Sequence, residues 1–225
     1  MLEEAAFRDR AVYFPTAKAL VLADVHLGRD RASNVELPLG ERTDVLDRLG
    51  RLLDRFDPEE VVVAGDLLHS FDRVPRSVER TLAALETRVA EAGAALVVVK
   101  GNHDTMLGSL FETRSERVVG DALVSHGHDS PERSAPLYVI GHEHPAITIE
   151  GRKYPCYLVG PAAAGGRVLV LPAFTRLAPG TDVSRTRRFR SPLLSRPGEY
   201  RPIVRDEEAD ETLWFPPLSE FRTLL

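Results

Sequence analysis

A chain of 225 residues with 43% hydrophobic and 28% charged side chains excludes a disordered polymer and fits one large domain or at most two small ones. Its net charge of −5 argues against indiscriminate coating of nucleic acid, which needs a broad positive surface, but leaves room for a local basic groove. Cys156 is the only cysteine, which excludes an intrachain disulfide and a thiolate zinc cluster and leaves His and oxygen ligands for any metal.

The N-terminal ten residues are acidic where a secretion signal is basic, and no apolar run approaches the roughly 18 residues of a membrane helix. A cytoplasmic location without membrane contact is expected. In chain order, short β-branched runs that end in polar clusters predict strands at Ala19–Ala23, Glu60–Ala64, Ala95–Val99, Asp121–Ser125 and Leu137–Ile140. A helix is predicted between the first two, from about Glu41 to Phe56, with Val45, Leu46, Leu49, Leu52, Leu53 and Phe56 on one face. A second starts at Pro75, turns Val78, Leu82, Leu85 and Val89 inward and stops at Gly93. Strands separated by helices imply an α/β domain with largely parallel sheet covered on both faces. No repeat or linker divides the chain, so residues 1–225 are expected to form one domain. After Pro172 the pattern loosens. Tyr200–Val204 and Glu211–Phe215 suggest a terminal hairpin, and the extension from about residue 184 has no assigned role.

All seven histidines, His26, His69, His103, His126, His128, His142 and His144, follow these runs. Loops at the carboxyl ends of strands converge on one crevice in an α/β fold. The segments are Asp24-Val-His26, Gly65-Asp-Leu-Leu-His69, Gly101-Asn-His-Asp104, Ser125-His-Gly-His128 and Gly141-His-Glu-His144. A single histidine at a strand end is ordinarily a surface or hydrogen-bonded residue, and Asp24 or Asp66 alone would read as a turn or a cap. Five such segments together read differently. They offer imidazoles, carboxylates and one amide, a mixture suited to Mn²⁺, Fe²⁺ or Zn²⁺ rather than to an all-oxygen Mg²⁺ or Ca²⁺ cage.

In that order, the five motifs resemble the calcineurin-like metallophosphoesterase superfamily. The resemblance implies a four-layer α-β-β-α sandwich with two mixed central sheets and a di-metal site. Asp24, His26 and His144 would hold one divalent ion, Asn102, His126 and His142 the other, and Asp66 would bridge them. Mn²⁺ is the expected metal, with Fe²⁺, Zn²⁺ or Ni²⁺ as alternatives. His103 would be the general acid that protonates the leaving oxygen. His128 would contact phosphate or support the ligands, or else be a loop residue, and Asp104 would orient its own loop. The segments Leu22–Gly28, Val35-Glu-Leu-Pro38, Gly65–His69 and Leu171-Pro-Ala-Phe174 are similar to the small ICC-like phosphoesterases, some of them encoded with DNA ligases. By that likeness Phe174 would wall the substrate pocket, although a core aromatic reads equally well.

One departure narrows the expectation. The phosphoprotein phosphatases carry a carboxylate three residues after the bridging Asp, where this chain has His69. That motif is similar to the SbcD-type nuclease branch, in which a histidine pair acts. The substrate would then be a phosphodiester, with nucleotide or nucleic acid as partner. A phosphomonoesterase, a nucleotide pyrophosphatase and a non-catalytic scaffold on the same fold are the alternatives. Arg185-Thr-Arg-Arg-Phe-Arg190 could contact phosphates and stack Phe189 on a base, or form a solvated basic segment.

Overall fold

The computed structural model describes residues 2–29, 40–69 and 74–221; the Val35–Pro38 motif lies outside them. One sheet has the spatial order β1 (Ala6–Arg8), β2 (Ala11–Phe14), β3 (Ala19–Leu22), β4 (Glu60–Ala64), β5 (Ala95–Val99) and β6 (Thr113–Arg114). Its first three strands are antiparallel, and β3 to β6 are parallel. The other has the order β7 (Glu116–Val119), β8 (Ala122–Ser125), β9 (Leu137–Ile140), β13 (Arg167–Val170), β12 (Tyr157–Pro161), β15 (Arg201–Asp206) and β16 (Glu211–Trp214). Here β8, β9 and β13 are parallel neighbours and the remaining pairs are antiparallel.

Side chains alternate between faces along a strand, and here each face has its own core. In β4, Val61 and Val63 meet the helices while Val62 and Ala64 meet the second sheet. In β9, Leu137 and Val139 meet the first sheet while Tyr138 and Ile140 face outward into a third core. Burial on both faces is why these strands read as unbroken apolar runs. The helices α1 (Glu41–Phe56) and α2 (Arg76–Glu91) cover the first sheet with the predicted faces. Pro75 is the extended residue before α2 rather than its first turn, and Gly93, at φ 76°, follows its end.

The architecture is the expected four-layer sandwich with two mixed central sheets, its helical layer formed by α1 and α2. Among the described residues its fourth layer is a small sheet of β10 (Pro145–Ile149), β11 (Arg152–Pro155) and β14 (Thr181–Asp182), the following loops and the short helix α3 (Leu218–Phe221). The expected terminal hairpin forms as β15 and β16, which extend the second sheet. Phe189 is 5% exposed and packs edge-on against Tyr200, so it is a core residue and not a base-stacking one. Arg185, Arg187, Arg188 and Arg190 around it are exposed.

Candidate metal centre

Strands β3, β4, β5, β8 and β9 all deliver their carboxyl ends to one edge of the sandwich, where backbone hydrogen bonds join their loops. Asp24 N–H donates to the Gly65 carbonyl, His26 N–H to that of Asp66, and Gly141 N–H to that of His126. Five expected ligands, Asp24, His26, Asp66, His142 and His144, have φ between 48° and 70°. This left-handed region costs a residue with a Cβ about 1–2 kcal/mol, and such strain concentrates at functional sites. Glycine is indispensable beside them for a different reason. A Cβ on Gly101 would lie 2.1 Å from Asp66 Oδ1, and one on Gly141 2.6 Å from Asp24 Oδ2.

The donor atoms form two neighbouring sets. In the first, His26 Nε2 lies 3.2 Å from His144 Nε2, which lies 3.3 Å from Asp24 Oδ1. In the second, His126 Nε2 lies 3.0 Å from Asn102 Oδ1, 3.3 Å from His142 Nδ1 and 3.4 Å from Asp66 Oδ2. Asp66 Oδ2 is also 3.9 Å from His26 Nε2, which places it between the sets. With bonds of about 2.1 Å, ligands on one ion stand about 3.0 Å apart at right angles and about 3.4 Å apart at tetrahedral angles. The spacings within both sets match that range. His126 Nδ1 is 3.1 Å from the Ala64 carbonyl, which fixes the ring with Nε2 facing the centre. The residues present therefore fit two divalent ions.

The electrostatics fit as well. Burial alone would raise the Asp66 pKa, but His126 and the backbone N–H of His103 hold it well below the usual carboxylate range. Burial also works against protonating His126. Its hydrogen bond to Asp66 and the charge of Asp24 overcome this and raise its pKa to about 9. Burial, with the His126 charge adding to it for His142, lowers His26 and His142 to about 4. In the metal-free chain a proton on His126 thus supplies positive charge that the two carboxylates require.

The remaining predicted residues flank this centre. His103 donates its backbone N–H to Asp66 Oδ1 at 2.9 Å, and its half-buried ring stands 5.5 Å from that of His26. The His69 ring is nearly parallel to it, 8° apart at 6.2 Å between centroids. His128 stands 5.2 Å from the His126 ring, with Nε2 3.0 Å from Asp129. It lines a cavity of about 550 Å³ that also reaches Asn102 and His126. Phe174 does not wall the pocket. It is 1% exposed, in the core against α1, with the guanidinium of Arg48 4.0 Å from its ring centroid.

Asp104 orients more than its own loop, because its buried carboxylate accepts from Gly101 N–H and also from the N–H groups of Leu67 and Leu68, next to Asp66. The sequence reading missed two anchors of similar kind. Glu41 accepts from the N–H groups of Gly28 and Arg29, just beyond His26. Glu143, 3% exposed between His142 and His144, accepts from the N–H groups of Arg190 and Ser191. The only sequence signal for Glu143 was a carboxylate enclosed within a ligand motif.

The crystal structure of the nuclease MPE from Pseudomonas putida is 26% identical to this chain, and the match covers 87% of this chain and 88% of that one with a TM-score of 0.62. A dimetal phosphatase from Danio rerio is 10% identical over 88% of this chain and 98% of that one, with a TM-score of 0.43. No curated protein matches. The family model for calcineurin-like phosphoesterases matches residues 17–143, more than half of the chain, which includes nearly all of the expected ligands. The chain belongs to the calcineurin-like phosphoesterase family.

Proposed function

We propose that this protein is a two-metal phosphodiesterase that hydrolyses nucleotide or nucleic-acid diesters. The observation that carries the reading is the pairing of the His69 and His103 rings beside the metal centre, together with the similarity to a nuclease. Asp24, His26 and His144 would hold one ion and Asn102, His126 and His142 the other, with Asp66 between the two sets available to both. Four imidazoles, two carboxylates and an amide favour Mn²⁺ or a similar transition metal over Mg²⁺. When bound, the ions lower the pKa of water and offset charge on the phosphoryl oxygens.

The chain's own residues supply the rest. The bond from its backbone to Asp66 fixes His103 next to that carboxylate, where its half-buried ring would give a proton to the leaving oxygen. His69 orients that ring without adding a negative charge where the leaving group departs. His128 supports the His126 and His142 side of the site and faces the cavity.

The test compares leaving groups. A general acid contributes about 10²–10⁴-fold, and an alkoxide needs its proton far more than a nitrophenolate does. His103→Ala should therefore lose about that factor on nucleotide diesters and much less on bis-(p-nitrophenyl) phosphate, while keeping both ions. His69→Ala should show the same pattern more weakly. Equal losses across leaving groups would remove the acid role. Faster hydrolysis of monoesters than of diesters by the unmodified enzyme would favour a phosphatase instead.

A further inference from the structure

The hairpin of β1 and β2 turns through Asp9 and Arg10 alone, with φ of 46° and 69°. Turns of this type favour Asn or Asp followed by Gly, because both central residues are left-handed. Arginine at the second position is strained, and strain kept at one place points to a use for it.

The side chain shows that use. Arg10 Nη1 donates to the carbonyls of Ala173 at 3.1 Å and Thr175 at 2.5 Å. The same short segment donates the Phe174 and Thr175 N–H groups to the carbonyls of Ala23 and Asp24. The guanidinium is thus fixed one loop away from a metal ligand. Arg48 and Arg176 both pair with Asp44, and Arg51 pairs with Asp9, while among the described residues no carboxylate pairs with Arg10. Burial, then the charges of Arg48 and Arg176, lower its pKa to about 10, so it remains a cation at neutral pH.

Beside Arg10 runs a groove of about 220 Å³ whose wall includes Arg176, Lys153 and His144 and, among the described residues, no Asp or Glu. Lys153 Nζ donates to the Gly180 carbonyl, and both it and Arg176 are exposed. His144 Nε2 points at Asp24, so one end of the groove abuts the metal centre. The larger cavity on the opposite side, by His126 and His128, mixes Lys100 and Arg114 with Glu116, Asp129 and Glu132. Asp44 offsets part of the Arg176 charge, but in a molecule of net charge −5 three cations along one groove still form a local positive field suited to an anion. A monoester or a small diester has no second anion to place there. A polynucleotide has one at its next phosphate.

We propose that Arg10, Arg176 and Lys153 bind the phosphate adjacent to the scissile one, so that the substrate is a polynucleotide strand lying across His144. Arg10 is the pinned planar fork and the other two are exposed charges around it. This proposal rests on the phosphodiesterase reading.

The test uses Mn²⁺-loaded enzyme and two substrates across a salt series. One is a single-stranded oligonucleotide of about a dozen residues, within the usual span of single-strand grooves. The other is a dinucleoside monophosphate, with one diester and no neighbouring phosphate. Arg176→Ala/Lys153→Ala alters only exposed side chains. It should lower the preference for the oligonucleotide, as a ratio of kcat/KM values, about three- to tenfold. It should also flatten the slope of log kcat/KM against log salt for the oligonucleotide by about 0.7, the value for one phosphate contact on a single strand. Arg10→Ala should do the same, with thermal unfolding used to confirm that it folds. Unchanged preference and slope in the double variant would overturn the proposal while leaving the phosphodiesterase reading intact. Monoesters hydrolysed faster than either diester would overturn both.

Discussion

At the scale of single residues, His126 is the most firmly held imidazole of the second donor set. Its Nε2 faces Asp66 and Asn102 while Nδ1 is fixed on β4. A metal can take Nε2 only by displacing its proton. Because the pKa is raised from 6.5 to about 9, this group adds stability to the metal-free protein that is complete below pH 6.5 and is lost as pH rises through 9. The metal-free Tm should therefore fall across that window, and the Mn²⁺ affinity should rise about tenfold per pH unit. Calorimetric titration in buffers of different ionisation enthalpy would measure the released proton, and a pH-independent affinity would remove His126 from the ligand set. Gly101 carries a steric prediction. Gly101→Ala must push its methyl group into Asp66 and should lose metal and activity together. Gly93→Ala meets no atom of the described residues within 4 Å and should lose about 1 kcal/mol of stability to left-handed strain while keeping activity.

At the scale of elements, legibility followed burial. The five predicted strands were readable because each is an unbroken apolar run between polar loops, and their ends differ from the structure by one residue at most. The strands β1 and β2 were not, because their two-residue turn has Arg10 where glycine would have signalled a hairpin. The strands β12 and β13 were hidden by Gly160, Pro161 and the glycine pair 165–166 around them. Phe189 was misread as surface-facing, and Phe174 was left open between pocket wall and core, because periodicity gives no direction outside a regular element. Loop-to-loop ties were also invisible, since they join residues far apart in sequence. Asp104 is the clearest, spanning the loops after β4 and β5. Asp104→Ala leaves three buried N–H groups without an acceptor, which should cost about 2–4 kcal/mol and lower Tm by about 5–15 °C. Metal affinity should fall as well, although Asp104 touches no ligand site. A variant that loses neither would show that the loops hold their positions without it.

At the scale of the whole molecule, two sheets built from distant segments bring five loops to one edge, and that convergence makes a centre out of motifs spread over about 120 residues. The ligand types and their order were legible because chemistry restricts them. Their left-handed backbone and the cationic groove beside His144 were not, since both depend on how the sheets stack. The family membership accounts for hydrolysis of a phosphoester, and the two donor sets account for how a chain without cofactor-binding thiols could achieve it. The most direct measurement is a titration of metal-free protein with Mn²⁺, following bound metal and kcat/KM for a nucleotide diester together. Activity should rise to a plateau at two ions per chain, and Asp66→Ala should hold less metal than Asn102→Ala and stay inactive. A plateau at one ion, or two full equivalents of metal in Asp66→Ala, would contradict a centre bridged by that carboxylate.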